Sequence, residues 1–176
     1  MTSRQFYDWQ TAGGGGDVLR LVQVLEANEI HWCMIGGLAV NHWADEPMTT
    51  EDVDIVIAAE HVEEAVKALV DAGFKAERFR WSINLRGDSK VSVQVSTEDE
   101  YKHFPSRAVP ADVHGILMRV ASVEDTLSGK LRAYQDPTRR ASKRQKDLAD
   151  ILRLLEAHPD LRDRVPKPIA DRIDAG

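Results

Sequence analysis

Asp52 and Asp54 stand two residues apart in the run Asp52-Val53-Asp54-Ile55-Val56-Ile57. Val53, Ile55 and Ile57 alternate with Asp52, Asp54 and Val56, the period of a strand with two distinct faces. The two carboxylates therefore share one face, roughly 6.5 to 7 Å apart along the strand. Side by side they repel each other unless a cation sits between them, and hard oxygen donors favour magnesium or manganese. A bland reading stands beside this one: the pair is the wet face of an edge strand.

Ile35-Gly36-Gly37-Leu38 lies just upstream. A glycine pair after a strand is commonly only a tight turn. It also lets a phosphate approach the backbone, where the next helix would offer free N–H groups and the positive end of its dipole. A strand, a glycine turn, a helix and then a carboxylate strand together supply what phosphoryl transfer needs: an anion cradle beside a metal platform. Further on, Lys130, Arg132, Arg139, Arg140, Lys143, Arg144 and Lys146 crowd one short span with few acids among them. Such a cluster can bind phosphate even in an acidic protein, or it can be a solvated helix face.

On Ile35-Gly36-Gly37 and Asp52-Val53-Asp54-Ile55 the chain resembles the nucleotidyltransferase superfamily, whose signature is Gly-Gly or Gly-Ser, a spacer, and Asp-x-Asp between apolar residues. Within it the likeness is to the minimal and AbiEii-type proteins, many of them toxins of bacterial toxin–antitoxin systems. Lys130-Leu131-Arg132-Ala133 and Arg144-Gln145-Lys146-Asp147-Leu148-Ala149-Asp150-Ile151 look like that family's C-terminal motifs, so the likeness covers most of residues 30 to 157. The resemblance implies that Gly36 and Gly37 hold the triphosphate of an NTP and that Asp52 and Asp54 bind magnesium or manganese. It also implies that Lys130 contacts the phosphates and acts in catalysis with the two aspartates, and that Asp147 sits near the nucleotide.

Members that are active usually carry a third carboxylate on a later strand. Here the strand Val91-Ser92-Val93-Gln94-Val95 occupies that place, and Gln94 offers a carbonyl oxygen but neither charge nor base. Two functions follow. One is a metal-dependent transfer of NMP from an NTP to a hydroxyl of RNA (a tRNA-like acceptor) or protein, in a chain that could be a toxin with a cognate antitoxin or the antitoxin-like partner. The other is a catalytically degenerate nucleotide-binding or interaction module of the same fold.

The elements that must position these residues are legible from periodicity. Gly13 to Gly16 reads as a flexible joint, with Asp17 capping a helix that buries Val18, Leu21, Val22 and Leu25. Strands are expected at 31–35, at 52–58, once or twice within 74–85, at 91–95 and near 113–117. Helices are expected at 38–44 and 61–72. Ser122-Val123-Glu124-Asp125 begins another in the manner of a capping box, which runs to Tyr134. A further helix covers 141–157, and a short last one 160–165. The fold class is α/β (α+β): a mixed sheet flanked by helices, with a C-terminal helical segment. The expected division is 1–16 as a terminal segment and glycine joint, 17–120 as the α/β core, and 121–176 as the helical segment.

With 176 residues, 43% of them hydrophobic, the chain can bury one sizeable core. The net charge of −6 argues against a general nucleic-acid-binding surface. Cys33 is the only cysteine, so no intrachain disulfide forms; its apolar neighbours predict a buried, inert thiol in a cytoplasmic protein. No apolar run reaches membrane-spanning length, and Met1-Thr2-Ser3-Arg4-Gln5 lacks the apolar stretch of a secretory signal. The histidines His42, His61, His103, His114 and His158 have no metal-ligand spacing. Trp43 and Trp81 could stack on a base, but tryptophans are core residues far more often, so both are expected in the core.

Overall fold

The alternation of Val53, Ile55 and Ile57 is the seed of the structure, because it forces one face of their strand into a core. In the computed structural model, which describes residues 13–50, 52–113 and 116–175 together with Asp8, these side chains are almost fully buried. They belong to β2 (Asp52–Ile57). Beside it run β1 (Trp32–Ile35), β3 (Lys75–Arg78), β4 (Ser82–Arg86), β5 (Ser92–Ser96), β6 (Val109–Val113) and β7 (Ile116–Val120). Among the described residues these make one mixed sheet, ordered β3-β4-β5-β2-β1-β7-β6. β2 pairs antiparallel with β1 and parallel with β5.

One face of the sheet is covered by two helices, α1 (Gly15–Ala27) and α3 (Val62–Asp71). Val18, Leu21 and Leu25 of α1 and Ala65 and Leu69 of α3 pack in one cluster with Val53, Ile55, Val93, Val95 and Leu85. The other face carries α2 (Gly36–Trp43) and the C-terminal helices α4 (Val123–Gln135), α5 (Ala141–Ala157) and α6 (Lys167–Asp174). Val40 and Ala44 form a second core with Leu127, Leu131, Ile151 and Leu154, so the helical segment is fastened to the sheet through α2.

Local signals place several boundaries. The Ser122 hydroxyl accepts from the Asp125 N–H at 3.1 Å and starts α4. The buried Cys33 thiol is pushed up to about 12, chiefly by burial, which leaves it protonated and unreactive.

Four expectations are corrected. Gly15 and Gly16 are the first residues of α1 rather than a loose joint, and Gly14 is its cap. Asp17 does not cap that helix: its carboxylate accepts from the N–H groups of Asp88 and Ser89, at 3.2 and 2.9 Å, and from the Ser89 hydroxyl at 2.5 Å. The strand expected near Val113 to Leu117 is instead a hairpin, whose tip (with His114) lies outside the described residues, as do Glu51 and residues 1–7 and 9–12. Residues 159–164 form a 3-10 turn, and α6 follows it, started by Pro168 in its first turn.

Candidate functional site

Because β2 alternates, the side chains opposite the core face project to the other side of the sheet. There Asp52 and Asp54 meet the start of α2 and the inner faces of α4 and α5. A cavity of about 350 Å³ opens at this junction. Gly36, Asp52, Asp54, Gln94, Lys130 and Asp147, six of the seven residues singled out from sequence, line it together. Gly37 is not among its lining residues; its Cα backs onto Thr50, whose hydroxyl would lie 3.1 Å from an added Cβ.

Gly36 is required by position. Its φ of +66° is in the left-handed region, and a Cβ there would fall 2.2 Å from Oδ2 of Asp54. The backbone at the head of α2 is thus packed directly on the carboxylate. Asp54 is half-buried and its carboxyl is raised to about 6. Burial is the main cause; Lys130 opposes it, the neighbouring Asp52 adds to it, and Arg139 and Lys143 oppose it. Asp52 is more open, and the Lys143 ammonium stands 3.9 Å from it.

Gln94 occupies the register position beside Asp54 in the parallel β2–β5 ladder. Paired positions on adjacent strands share a face, so its amide borders the same cavity. The donor set that β2 and β5 present is two carboxylates and one amide oxygen. All are hard ligands, and the set fits a divalent ion of the magnesium type. Among the described residues no group of three His, Cys, Asp or Glu converges as a metal cluster. The residues present fit a metal held jointly with a ligand's oxygens more readily than one caged by protein alone.

Lys130 is not a free cation. It is buried, and its ammonium lies 2.7 Å from Asp150 and 3.5 Å from Asp147. Asp147 also receives Arg139, whose guanidinium bonds both of its oxygens. Asp150 receives Arg153 at 2.9 Å, and Arg153 continues to the side chain of Asn41 on α2. Part of the basic span read from sequence is thus satisfied by acids: Lys130 and Arg139 by those of α5, and Arg132 by Glu98 and Glu100. The network fixes α4, α5 and α2 around the cavity and leaves Lys130 and Arg139 on its wall.

Sequence reasoning missed Tyr101, Phe104, Asp125 and Thr126, which also line the cavity. Asp125 is gripped by two guanidinium nitrogens of Arg107, Nη2 and Nε, at 2.7 and 2.9 Å. The segment after β5 carries no periodicity that marks it. The acids that lie near Gln94 in the sequence separate: Glu98 reaches the cavity, whereas Asp88 pairs with Arg20 and Asp99 with Lys102. The histidines stay scattered among the described residues, with His61 accepting from the His31 N–H and His158 bonded to the Trp43 carbonyl. Trp43 is half-buried, but Trp81 is 55% exposed on the β3–β4 turn, against expectation.

Among known proteins, the family described as "Nucleotidyl transferase AbiEii toxin, Type IV TA system" matches residues 20–173. No curated protein matches the sequence. Solved structures share the fold at low identity. The adenylyltransferase ANT(2")-Ia in complex with adenylyl-2"-tobramycin superposes with a TM-score of 0.60 at 12% identity, over 85% of this chain and 97% of that one. The lincosamide antibiotic adenylyltransferase LnuA, lincomycin-bound, gives 0.56 at 13% identity, over 79% and 96%. An antigenic nucleotidyltransferase-like protein from Paracoccidioides brasiliensis gives 0.53 at 23% identity, over 80% and 74%. Among the described residues no helix is long and apolar enough to cross a membrane.

Proposed function

This chain belongs to the AbiEii family of nucleotidyltransferases, and we propose that it transfers a nucleoside monophosphate from an NTP to an acceptor hydroxyl of RNA or protein. One observation carries the reading: Asp52 and Asp54 share a cavity wall with Gly36 at the head of α2. In the reaction the acceptor hydroxyl gives up its proton to water as its oxygen bonds to the α-phosphorus, the bond from that phosphorus to the β-phosphate oxygen breaks, and pyrophosphate leaves.

The head of α2 supplies N–H groups and dipole for the triphosphate, and Gly36 keeps side-chain atoms out of that space. Magnesium or manganese held by Asp52 and Asp54 would neutralise charge on the phosphates. Lys130 and Arg139 present positive charge from the opposite wall, and their acidic partners keep them in place rather than free to follow the ligand. Asp147 acts here by positioning those two cations. The protein would work in the cytoplasm as one component of a toxin–antitoxin pair, with residues 17–120 as the transfer core and 121–176 as the helical segment that walls the nucleotide site.

A second reading has its own observation. Gln94, not an acid, stands beside Asp54, and a site with two carboxylates can bind a nucleotide without turning it over. Incubation with each α-labelled NTP, magnesium or manganese, and RNA or protein acceptors separates the two. Label transferred by wild type and lost in Asp52→Asn establishes the enzyme. Calorimetric binding of ATP without transfer establishes the binding module, and absence of both removes the nucleotide reading.

A further inference from the structure

The polar face of the sheet does not end at the cavity. In register with Asp52 stand Ser92 on β5, Arg86 on β4 and Lys75 on β3, one position per strand. In register with Asp54 stand Gln94, Asn84 and Glu77. Paired positions project to one face, so these residues extend the floor of the site sideways for about 14 Å at the usual strand spacing. Gln94, Arg86 and Lys75 are exposed, and Ser92 and Asn84 half-exposed. Val93, Val95, Ile83 and Leu85 on the reverse are buried.

This floor carries exposed positive charge that no acid among the described residues answers. Arg78, one register step away on the reverse face, is paired with Glu63 through two bonds, at 2.9 and 2.8 Å. Among the described residues Lys75, Arg86 and the nearby Lys90 have no acidic partner, in a chain whose net charge is −6. Asn84 Oδ1, itself buried, lacks a hydrogen-bond partner among the described residues. At the far end of the same strands Trp81 stands 55% exposed with the Arg80 guanidinium 5.0 Å from its ring centre. Exposed cations without acidic partners at one end of these strands, polar side chains along the floor and an exposed aromatic where the strands turn are the parts of a single-strand nucleic-acid platform.

Resting on the transferase reading, we propose that the acceptor is a single-stranded stretch of nucleic acid laid along this floor. Lys75, Arg86 and Lys90 hold its phosphates, Trp81 stacks on a base, and the acceptor hydroxyl is led to Asp52 and Asp54. Phosphate contacts of this kind set position rather than sequence.

The test is fluorescence anisotropy with a labelled 15-nucleotide RNA and the matching DNA, across a salt series, on wild type and Lys75→Glu/Arg86→Glu. Both positions are exposed, and equal melting temperatures confirm an intact fold. The double variant is expected to lose at least about tenfold in affinity, and its log–log salt slope to shrink by about 1.4, at 0.7 per phosphate contact on a single strand. Trp81→Ala is expected to lose at least about fivefold with the salt slope unchanged. RNA against DNA preference tells which strand is used, and binding of either supports the platform. Equal binding by wild type and double variant, or binding of neither strand by wild type, overturns it and leaves a protein acceptor. ATP calorimetry on the same samples keeps the failures apart: loss of ATP binding in wild type defeats the transferase reading, whereas intact ATP binding with unaltered strand binding defeats only the platform.

Discussion

Asp54 of β2 and Gln94 of β5 sit side by side in one parallel ladder and border the same cavity. Everything the site can do with a metal depends on this neighbour relation, because a carboxylate at Gln94 would add a third charge where an amide oxygen now stands. Gln94→Asp is therefore expected to tighten manganese binding by about tenfold, since affinity of oxygen sites rises with ligand charge. Calorimetric titration of manganese in the presence of a non-hydrolysable NTP reads this directly. An unchanged affinity would mean that position 94 does not border the ion.

Asp54 itself is costly to the fold. Its carboxyl is raised to about 6, mainly by burial and further by Asp52. Removing the charge while keeping the shape should help the metal-free protein. Asp54→Asn is expected to abolish nucleotidyl transfer and at the same time raise the melting temperature by about 2–4 °C, the response to roughly 1 kcal/mol in a chain of this size. Thermal melts in chelator and a labelled-NTP assay check the two halves. A lower melting temperature would show that Lys130, Arg139 and Lys143 need the charge more than burial opposes it.

Gly36 and Gly37 look equivalent in sequence and are not equivalent in space. A Cβ at Gly36 would strike Asp54 Oδ2 at 2.2 Å with φ at +66°, whereas at Gly37 it would meet the Thr50 hydroxyl at 3.1 Å without backbone strain. Gly36→Ala is expected to cost about 1–2 kcal/mol from the left-handed backbone alone, and to displace Asp54 as well. Transfer should fall at least tenfold further for Gly36→Ala than for Gly37→Ala. Equal effects would place both glycines in one role.

Asp17 ties α1 to the turn before β5, and the tie carries a pH signature. Burial alone would raise this carboxyl, but the Ser89 hydroxyl and N–H, the Asp88 N–H and Arg20 together hold it below the ordinary carboxylate range. A depressed acid lends stability above its unfolded value near 4, which is lost as pH falls through the native value. Asp17→Asn is expected to destabilise by about 2–4 kcal/mol at pH 7 and by much less at pH 3. Urea midpoints at the two pH values measure it; an equal loss at both would put the cause in packing.

These positions also show what local sequence carries. The alternation around Asp52 and Asp54, the glycine pair and the Ser122 cap are set by neighbours one to four residues away, so periodicity reveals them. Asp17 is a different case: its partners lie 71 and 72 residues on, and nothing near it marks them. The same holds for Arg132 in the basic span, whose partners Glu98 and Glu100 come from another element. Trp81 is exposed because a tight β3–β4 connection has no inner side, a property of the turn and not of tryptophan. α6 was hidden behind Pro166 and Pro168, which suit a helix start as well as a helix stop.

Lys130 distinguishes a phosphate ligand from a structural tie. Its ammonium serves Asp150 and Asp147, both nearly fully buried, so removing it takes one of two cations from each carboxylate and leaves only Arg153 and Arg139 to hold them. Lys130→Ala is expected to destabilise by about 3–5 kcal/mol, the cost of breaking a buried pair by taking one partner. Lys130→Met with Asp150→Asn restores the balance and should recover much of that stability. If transfer stays lost in the refolded double variant, Lys130 also faces the phosphates. If activity returns with stability, the lysine holds α4 to α5 and Arg139 alone meets the triphosphate from that wall.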